Sequence, residues 1–284
     1  MSYNRIVLEE KLKQYITEDC QYQDVSSSFI PEDAISHAKI VVKNNGFISG
    51  LEELKILFDL LNININIKKK DGDSVKKGDI IAELNGNTRK ILIGERVGLN
   101  ILTHMSAITS TTRKFANIIK DSGRNVKIAA TRKTTPGLRI FEKRAVELGG
   151  GDTHRFNLDD MILIKDTHLK YYNGDIVALL KEVKDKASFS KKIEIEIEKT
   201  EDIITAAQEG ADIIMLDNMT PDQVEDAIKI LKEKKLREKV IIEVSGGITE
   251  QNIIDYIIAD PNIISTSELT QNPCEKIDLS LRFN

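Results

Sequence analysis

Apolar and polar positions change period several times along this chain of 284 residues, and each change predicts an element. Ile6, Leu8, Leu12, Tyr15 and Ile16 fall roughly on one face, which predicts a first helix over about Asn4 to Thr17. His37 to Lys43 reads as a strand, Gly46 to Gly50 as a turn and Leu51 to Leu61 as an amphipathic helix. Ile63, Ile65 and Ile67 then alternate with Asn62, Asn64 and Asn66, the period of a half-buried strand. KKKDGDSVKKGDIIAELNGNTRKIL places two glycine turns around short strands. Leu99, Leu102, Ile108, Phe115 and Ile119 are near helical spacing, so Gly94 to about Lys120 predicts one long or broken helix with Arg96 at its start.

From Val126 onward the period alternates. Apolar runs near 126–130, 161–165, 192–197, 211–216, 240–244 and 262–266 predict strands, separated by amphipathic segments such as Thr200 to Glu209, Pro221 to Lys234 and Gln251 to Ile258. That βαβα order implies a parallel sheet, and its length a barrel or partial barrel. In Lys192 to Lys199 the glutamates 194, 196 and 198 take the side opposite Ile193, Ile195 and Ile197. Carboxylates facing a lumen need cations beside them, and Lys133 and Lys165 at other strand ends could supply these.

Composition narrows the partners. Hydrophobic content of 40% and charged content of 30% describe a globular chain, and a net charge of -4 gives no reason to expect nucleic acid. Two cysteines, Cys20 and Cys274, stand in no metal-ligand spacing. The N-terminal stretch lacks a signal peptide's apolar core, and no run reaches the length needed to span a bilayer, so a cytoplasmic location without membrane contact is expected. Within this acidic chain, residues 131 to 168 gather Arg132, Lys133, Arg139, Lys143, Arg144, His154, Arg155, Lys165 and His168 around Pro136-Gly137 and Gly149 to Gly151. Guanidinium forks, ammonium groups and glycine-exposed amides together suit a small anion. Thr131-Arg132-Lys133 and Lys165-Asp166 each follow an apolar run, at the strand ends where α/β folds bind ligands. Asp217 ends another run, and Ser245, Gly246 and Gly247, before a helix expected near Thr249, form a candidate phosphate cradle.

These residues carry a resemblance. TRKTTPGLR, then GGG with His154-Arg155 three residues on, LIKD with His168, EIEIE, LDN and EVSGG resemble, in order, the signature of the quinolinate phosphoribosyltransferases. The resemblance implies an N-terminal α/β sandwich domain over 1–110, joined by the tail 272–284, and an incomplete parallel α/β barrel over 111–271, the type II phosphoribosyltransferase fold. It implies transfer of phosphoribose to quinolinate with release of pyrophosphate and carbon dioxide. Lys133, Lys165, Glu196 and Asp217 would be catalytic; Arg96, Thr131, Arg132, His154, Arg155, Ser245, Gly246, Gly247, Thr266 and Ser267 would join them in binding substrates. Glu196 and Asp217 would also meet Mg²⁺ held on pyrophosphate. A homodimer or dimer-based hexamer is implied, with Arg96 reaching a neighbouring subunit's site. Gln21, Gln23, Thr153, Thr167 and Ser267 depart from the family's pattern, which leaves room for a ModD-like paralogue with another acceptor. A non-catalytic binder of an anionic metabolite is the alternative of a different class. DGDSVKKGDIIAEL is similar to lipoyl and biotinyl carrier domains, but the run Lys68, Lys69 and Lys70 singles out no carrier lysine, so a packing platform is the expected use.

Overall fold

The computed structural model describes residues 4–284. The chain divides into two compact units: the first holds residues up to Arg113 with Pro136–Gly150 and Pro273–Asn284, the second Lys114–Thr135 with Gly151–Asn272.

In the first unit, helix α1 (Arg5–Asp19) precedes strands β1 (Ile35–Val42) and β2 (Gly46–Phe47), helix α2 (Leu51–Leu60) and strands β3 (Asn64–Ile67), β4 (Ser74–Val75) and β5 (Ile80–Asn87). The last strand, β12 (Leu279–Phe283), pairs antiparallel with β1 from Ala38↔Phe283 to Val42↔Leu279 and completes the sheet order β12-β1-β5-β3. Leu8 and Leu12 of α1, Leu54, Leu57 and Phe58 of α2, and Ile81 and Leu84 of β5 are buried in its core. Each such side chain contributes about 1.5–3 kcal/mol relative to exposure. Lys68 and Lys69 lie in ion pairs with Glu83 and Asp79 at 2.7 and 2.9 Å.

Two expectations change here. Helix α3 (Thr88–Asp121) is continuous over 34 residues and begins before Gly94. Arg96 is therefore exposed beyond the first turn, not at a helix start, and backbone donors at such depth are spent on intrahelical bonds. Helix α4 (Arg139–Leu148), expected in the barrel domain, groups with the first unit. Local bonds account for that: Thr109 Oγ1 donates to Ala145 O at 2.8 Å, Arg113 Nη2 donates to Leu148 O at 3.0 Å, and the Tyr15 and Phe141 rings lie 5.8 Å apart. His104 meets the buried Glu142 carboxylate at 2.9 Å and is a satisfied histidine.

The second unit alternates β6 (Lys127–Ala129), β7 (Ile162–Ile164), α5 (Asp166–Tyr171), α6 (Ile176–Lys186), β8 (Ile193–Ile197), α7 (Asp202–Gln208), β9 (Ile213–Asp217), α8 (Pro221–Glu233), β10 (Ile241–Ser245), α9 (Ile253–Ile258) and β11 (Ile263–Ser265). Its strands run parallel in the order β6-β11-β10-β9-β8-β7. Ile195, Ile197, Ile214, Leu216, Ile242 and Val244 are buried, as are Val224, Ala227, Ile228 and Leu231 on one face of α8. Helix α8 starts where the sequence demands, since Pro221 has no amide hydrogen to lose and Thr220 and Gln223 cap each other's amides. Beside β6, Asp152 pairs with Ala129, donating its amide to Ile128 O at 2.8 Å and accepting from Ala130 N at 2.9 Å. Because every strand points the same way, all C-terminal strand ends share one edge of this sheet, and that places the candidate site.

Candidate active site

The loop after β6 is shaped by threonines. Thr131 Oγ1 accepts from Lys133 N at 3.1 Å, and Thr270 Oγ1 donates to Lys133 O at 2.8 Å. Arg132 stands half-buried beside Arg155, and its Nε is buried with no hydrogen-bond partner. Burial and then the Arg132 charge lower the Arg155 pKa, while Glu194, Glu196 and Asp160 oppose them. Two guanidiniums forced together, one with an unsatisfied donor, make a place where an anion lowers the energy.

Across the same edge, Lys165 follows β7 and its Nζ contacts Glu196 Oε1 at 2.5 Å. Its own amide donates to His168 Nδ1 at 2.9 Å, so His168 shapes the start of α5. Burial raises the Glu196 pKa; Lys165 opposes it, and Asp217 adds to it. Asp217 behaves alike: burial raises its pKa, Lys165 and Lys133 lower it, and Glu198 raises it. The two carboxylates and two lysines thus form one electrostatic group in which opposite charges alternate.

Ser245 lies in register with Asp217 on one side and Ser265 on the other. Gly246 has φ +96°, and a Cβ there would lie 2.3 Å from Asn218 Oδ1, so the turn requires glycine. Helix α9 begins at Ile253, not near Thr249, and has 6 residues, so the expected cradle lacks the positive helix end; what remains is Ser245 with the glycine amides. The Thr266 hydroxyl donates to Ile248 O at 2.7 Å and accepts from Glu268 N at 3.2 Å, which commits it to shaping the turn before Ser267.

Deeper in the sheet lies a cluster whose second carboxylate the sequence reading missed. Glu194 and Glu243 are fully buried and flank His154 Nε2 at 3.6 and 3.1 Å. The side chain facing Glu194 is thus His154, not the expected Lys133. Burial disfavours the charged imidazole, whereas hydrogen bonding and charge from Glu194 and Glu243 favour it and push its pKa up. The Arg155 amide, donating to Nδ1 at 2.7 Å, pulls the other way, because it needs that nitrogen's lone pair. The contact is that of a ring protonated on Nε2 alone; a second proton would have to displace the amide. Ligand atoms of His154, Glu194 and Glu243 lie within 4.8 Å of one another, yet a metal on Nε2 would likewise need hydrogen on Nδ1. The donor set therefore fits a proton better than a metal. Burial raises the Glu194 pKa, with the Glu243 charge adding to it against His154 and Arg155. The available signal was a glutamate inside the apolar strand IIEVS.

Lys133, Lys165, Glu196 and Asp217 thus share one electrostatic group, Arg132 and Arg155 another, and Ser245 with Gly246 and Gly247 follows β10 on the same edge. Arg96 belongs to the first unit.

A parallel sheet with cations and carboxylates collected at its C-terminal edge defines an α/β enzyme, and the likeness to NadC structures makes it one of the type II phosphoribosyltransferase fold. Models of the quinolinate phosphoribosyl transferase N-terminal and C-terminal domains match residues 23–106 and 108–282, and the chain belongs to that family. It is 45% identical to a probable carboxylating nicotinate-nucleotide pyrophosphorylase of Archaeoglobus fulgidus, over 92% of this chain and 98% of that one. It is 38% identical to the probable enzyme of Bacillus subtilis over 98% and 94%. Among solved structures, NadC from Streptococcus pyogenes superimposes with a TM-score of 0.91 at 32% identity, covering 100% of this chain and 99% of that chain.

Proposed function

We propose that this chain transfers phosphoribose from phosphoribosyl pyrophosphate to the ring nitrogen of quinolinate, releasing pyrophosphate and carbon dioxide and leaving nicotinate mononucleotide. The observation that carries the reading is the Arg132–Arg155 pair with the unpartnered buried Nε. Two such forks suit the adjacent carboxylates of quinolinate, which Lys133 and Lys165 would help neutralise and the Thr131 hydroxyl would face, while His154, engaged at both ring nitrogens, would shape the pocket beside them.

The sugar phosphate would lie across Glu196, Asp217 and Ser245 to Gly247. As the carbon–oxygen bond to pyrophosphate breaks, positive charge develops on the ribose ring, and Glu196 and Asp217 stabilise it. Lys165 and Lys133 face the departing oxygens. The pyridine nitrogen then forms the new bond to carbon chiefly by being held in line. Loss of the ring carboxylate as carbon dioxide leaves an electron pair on carbon that takes up a proton. Glu196 and Asp217 are hard oxygen donors at a half-exposed strand edge and suit Mg²⁺ carried on the pyrophosphate, where it would neutralise the leaving oxygens. We place the reaction in the cytoplasm of a homodimer-based assembly, with the exposed Arg96 serving a neighbouring subunit's site; among the described residues no helix is long and apolar enough to cross a membrane.

The test is turnover of purified protein with phosphoribosyl pyrophosphate, Mg²⁺ and either quinolinate or nicotinic acid, following mononucleotide and carbon dioxide. Quinolinate should be strongly preferred. Equal rates for both acids would remove the case for a diacid pocket, and binding without turnover would make the chain a metabolite-binding protein.

A further inference from the structure

We propose that Glu243, anchored by Ser265, is the positioning residue that sets Arg155 through the ring of His154. Three hydrogen bonds connect these groups, two of them converging on Glu243. Ser265 Oγ donates to Glu243 Oε1 at 2.6 Å, His154 Nε2 donates to Glu243 Oε2 at 3.1 Å, and Arg155 N donates to His154 Nδ1 at 2.7 Å. A neutral imidazole whose Nδ1 accepts an amide carries its hydrogen on Nε2, which is the hydrogen Glu243 receives. Glu243 and Ser265 are 0% and 1% exposed on neighbouring strands β10 and β11, so the far end of the chain of bonds is rigid.

The backbone explains why Arg155 depends on this clamp. His154 has φ +53°, a left-handed conformation that a residue with a Cβ adopts at a cost. Its amide donates to Asp152 Oδ1 at 2.8 Å, and Asp152 is fixed against β6. The turn at residue 154 therefore sets the direction in which Arg155 leaves that edge, and the ring, gripped at both nitrogens, holds the turn. Glu243 touches neither guanidinium of the acceptor pocket and acts on Arg155 through the His154 ring and the turn that carries it.

The proposal rests on Arg155 as a ligand of the acceptor, so the experiment separates the two. KM for quinolinate and for phosphoribosyl pyrophosphate is measured for E243L, E243Q, S265A and R155K, and the ring nitrogens of His154 are read by ¹⁵N resonance in labelled protein, assigned by loss of the signal in H154A. E243L should raise the quinolinate KM by about tenfold or more while the KM for phosphoribosyl pyrophosphate stays within about twofold, and should abolish the pattern of bare Nδ1 and protonated Nε2. E243Q, whose amide oxygen still accepts from Nε2, should restore both. Should E243L not fold, S265A should show the same selective rise in smaller measure. A folded E243L or S265A with unchanged quinolinate KM, or wild-type protein with hydrogen on Nδ1, overturns the positioning role. R155K with unchanged quinolinate KM would overturn the acceptor assignment instead, leaving the ring signal to report on the clamp alone.

Discussion

Replacing Lys165 by methionine keeps most of the side chain's volume and removes the charge that lies 2.5 Å from Glu196 Oε1. Burial already holds the Glu196 pKa high, Lys165 is the cation working against it, and Asp217 and Asp166 push with burial. Unit charges about 4 Å apart attract by about 4 kcal/mol at an effective dielectric of about 20 and by about 1 kcal/mol in water. The lysine side chain is 47% exposed, so screening puts the loss toward the lower figure, about 1–2 kcal/mol. That is about one pKa unit. In the proposed reaction Glu196 works as the carboxylate, and its protonation would set in at higher pH, so the acid limb of log kcat against pH should move up by about one unit. On the plateau kcat should also fall by about 10²–10³, the usual loss when one electrostatic stabiliser of a developing charge is removed. The assay is a pH–rate profile at saturating substrates, with a thermal melt confirming that the variant is folded. An unmoved acid limb would refute the argument that Lys165 keeps Glu196 ionised, and an undiminished plateau would refute its catalytic part.

Three other outcomes follow from the same reasoning. Arg96→Ala and Glu196→Ala should each be inactive alone and regain part of their activity after subunit exchange; no recovery despite verified exchange counts against a shared site. Gly246→Ala, which drives a Cβ to 2.3 Å from Asn218 Oδ1 at φ +96°, should cost about 1–3 kcal/mol in denaturant unfolding and raise the KM for phosphoribosyl pyrophosphate; an unchanged midpoint contradicts the crowding. Glu53 is buried beside Arg144 at 3.5 Å, and burial raises its pKa to about 7 from the usual 4.5. A raised carboxyl favours folding below its unfolded pKa and loses that contribution as pH climbs through about 7, so Glu53→Gln should be less sensitive to pH and gain up to about 3 kcal/mol on the wild type at pH 8. Parallel stability curves from pH 5 to 8 would show that Arg144 keeps Glu53 ionised throughout.

Periodicity and strand-end chemistry made much of this protein readable in one dimension. The apolar runs that became β6 to β11 are short, bounded by turns and spaced by amphipathic helices, a local pattern that requires no knowledge of distant partners. A parallel sheet then puts every residue just past a run on one edge, which is why Arg132, Lys165, Glu196 and Asp217 could be assigned together. Helix α4 falls inside the span 111–271 by chain order alone, whereas the partner that groups it with the first unit, Thr109, lies 36 residues from Ala145. Arg96 was put at a helix start because Gly94 looked like a boundary, whereas helical residues from Thr88 onward carry the helix through it.

Alternation on β8 set the side that Glu194 and Glu196 face, but not which partner each would meet. Lys165 reaches Glu196 from the adjacent strand, while His154 reaches Glu194 and Glu243 because a left-handed turn beside β6 swings its ring under the sheet edge. Order along the chain therefore determined the elements, their direction and the chemistry available at their ends. Pairing, tautomer and burial were decided only by folding, because each depends on groups brought within about 4 Å from tens of residues away, a distance at which charge and hydrogen bonding first become strong enough to choose between states.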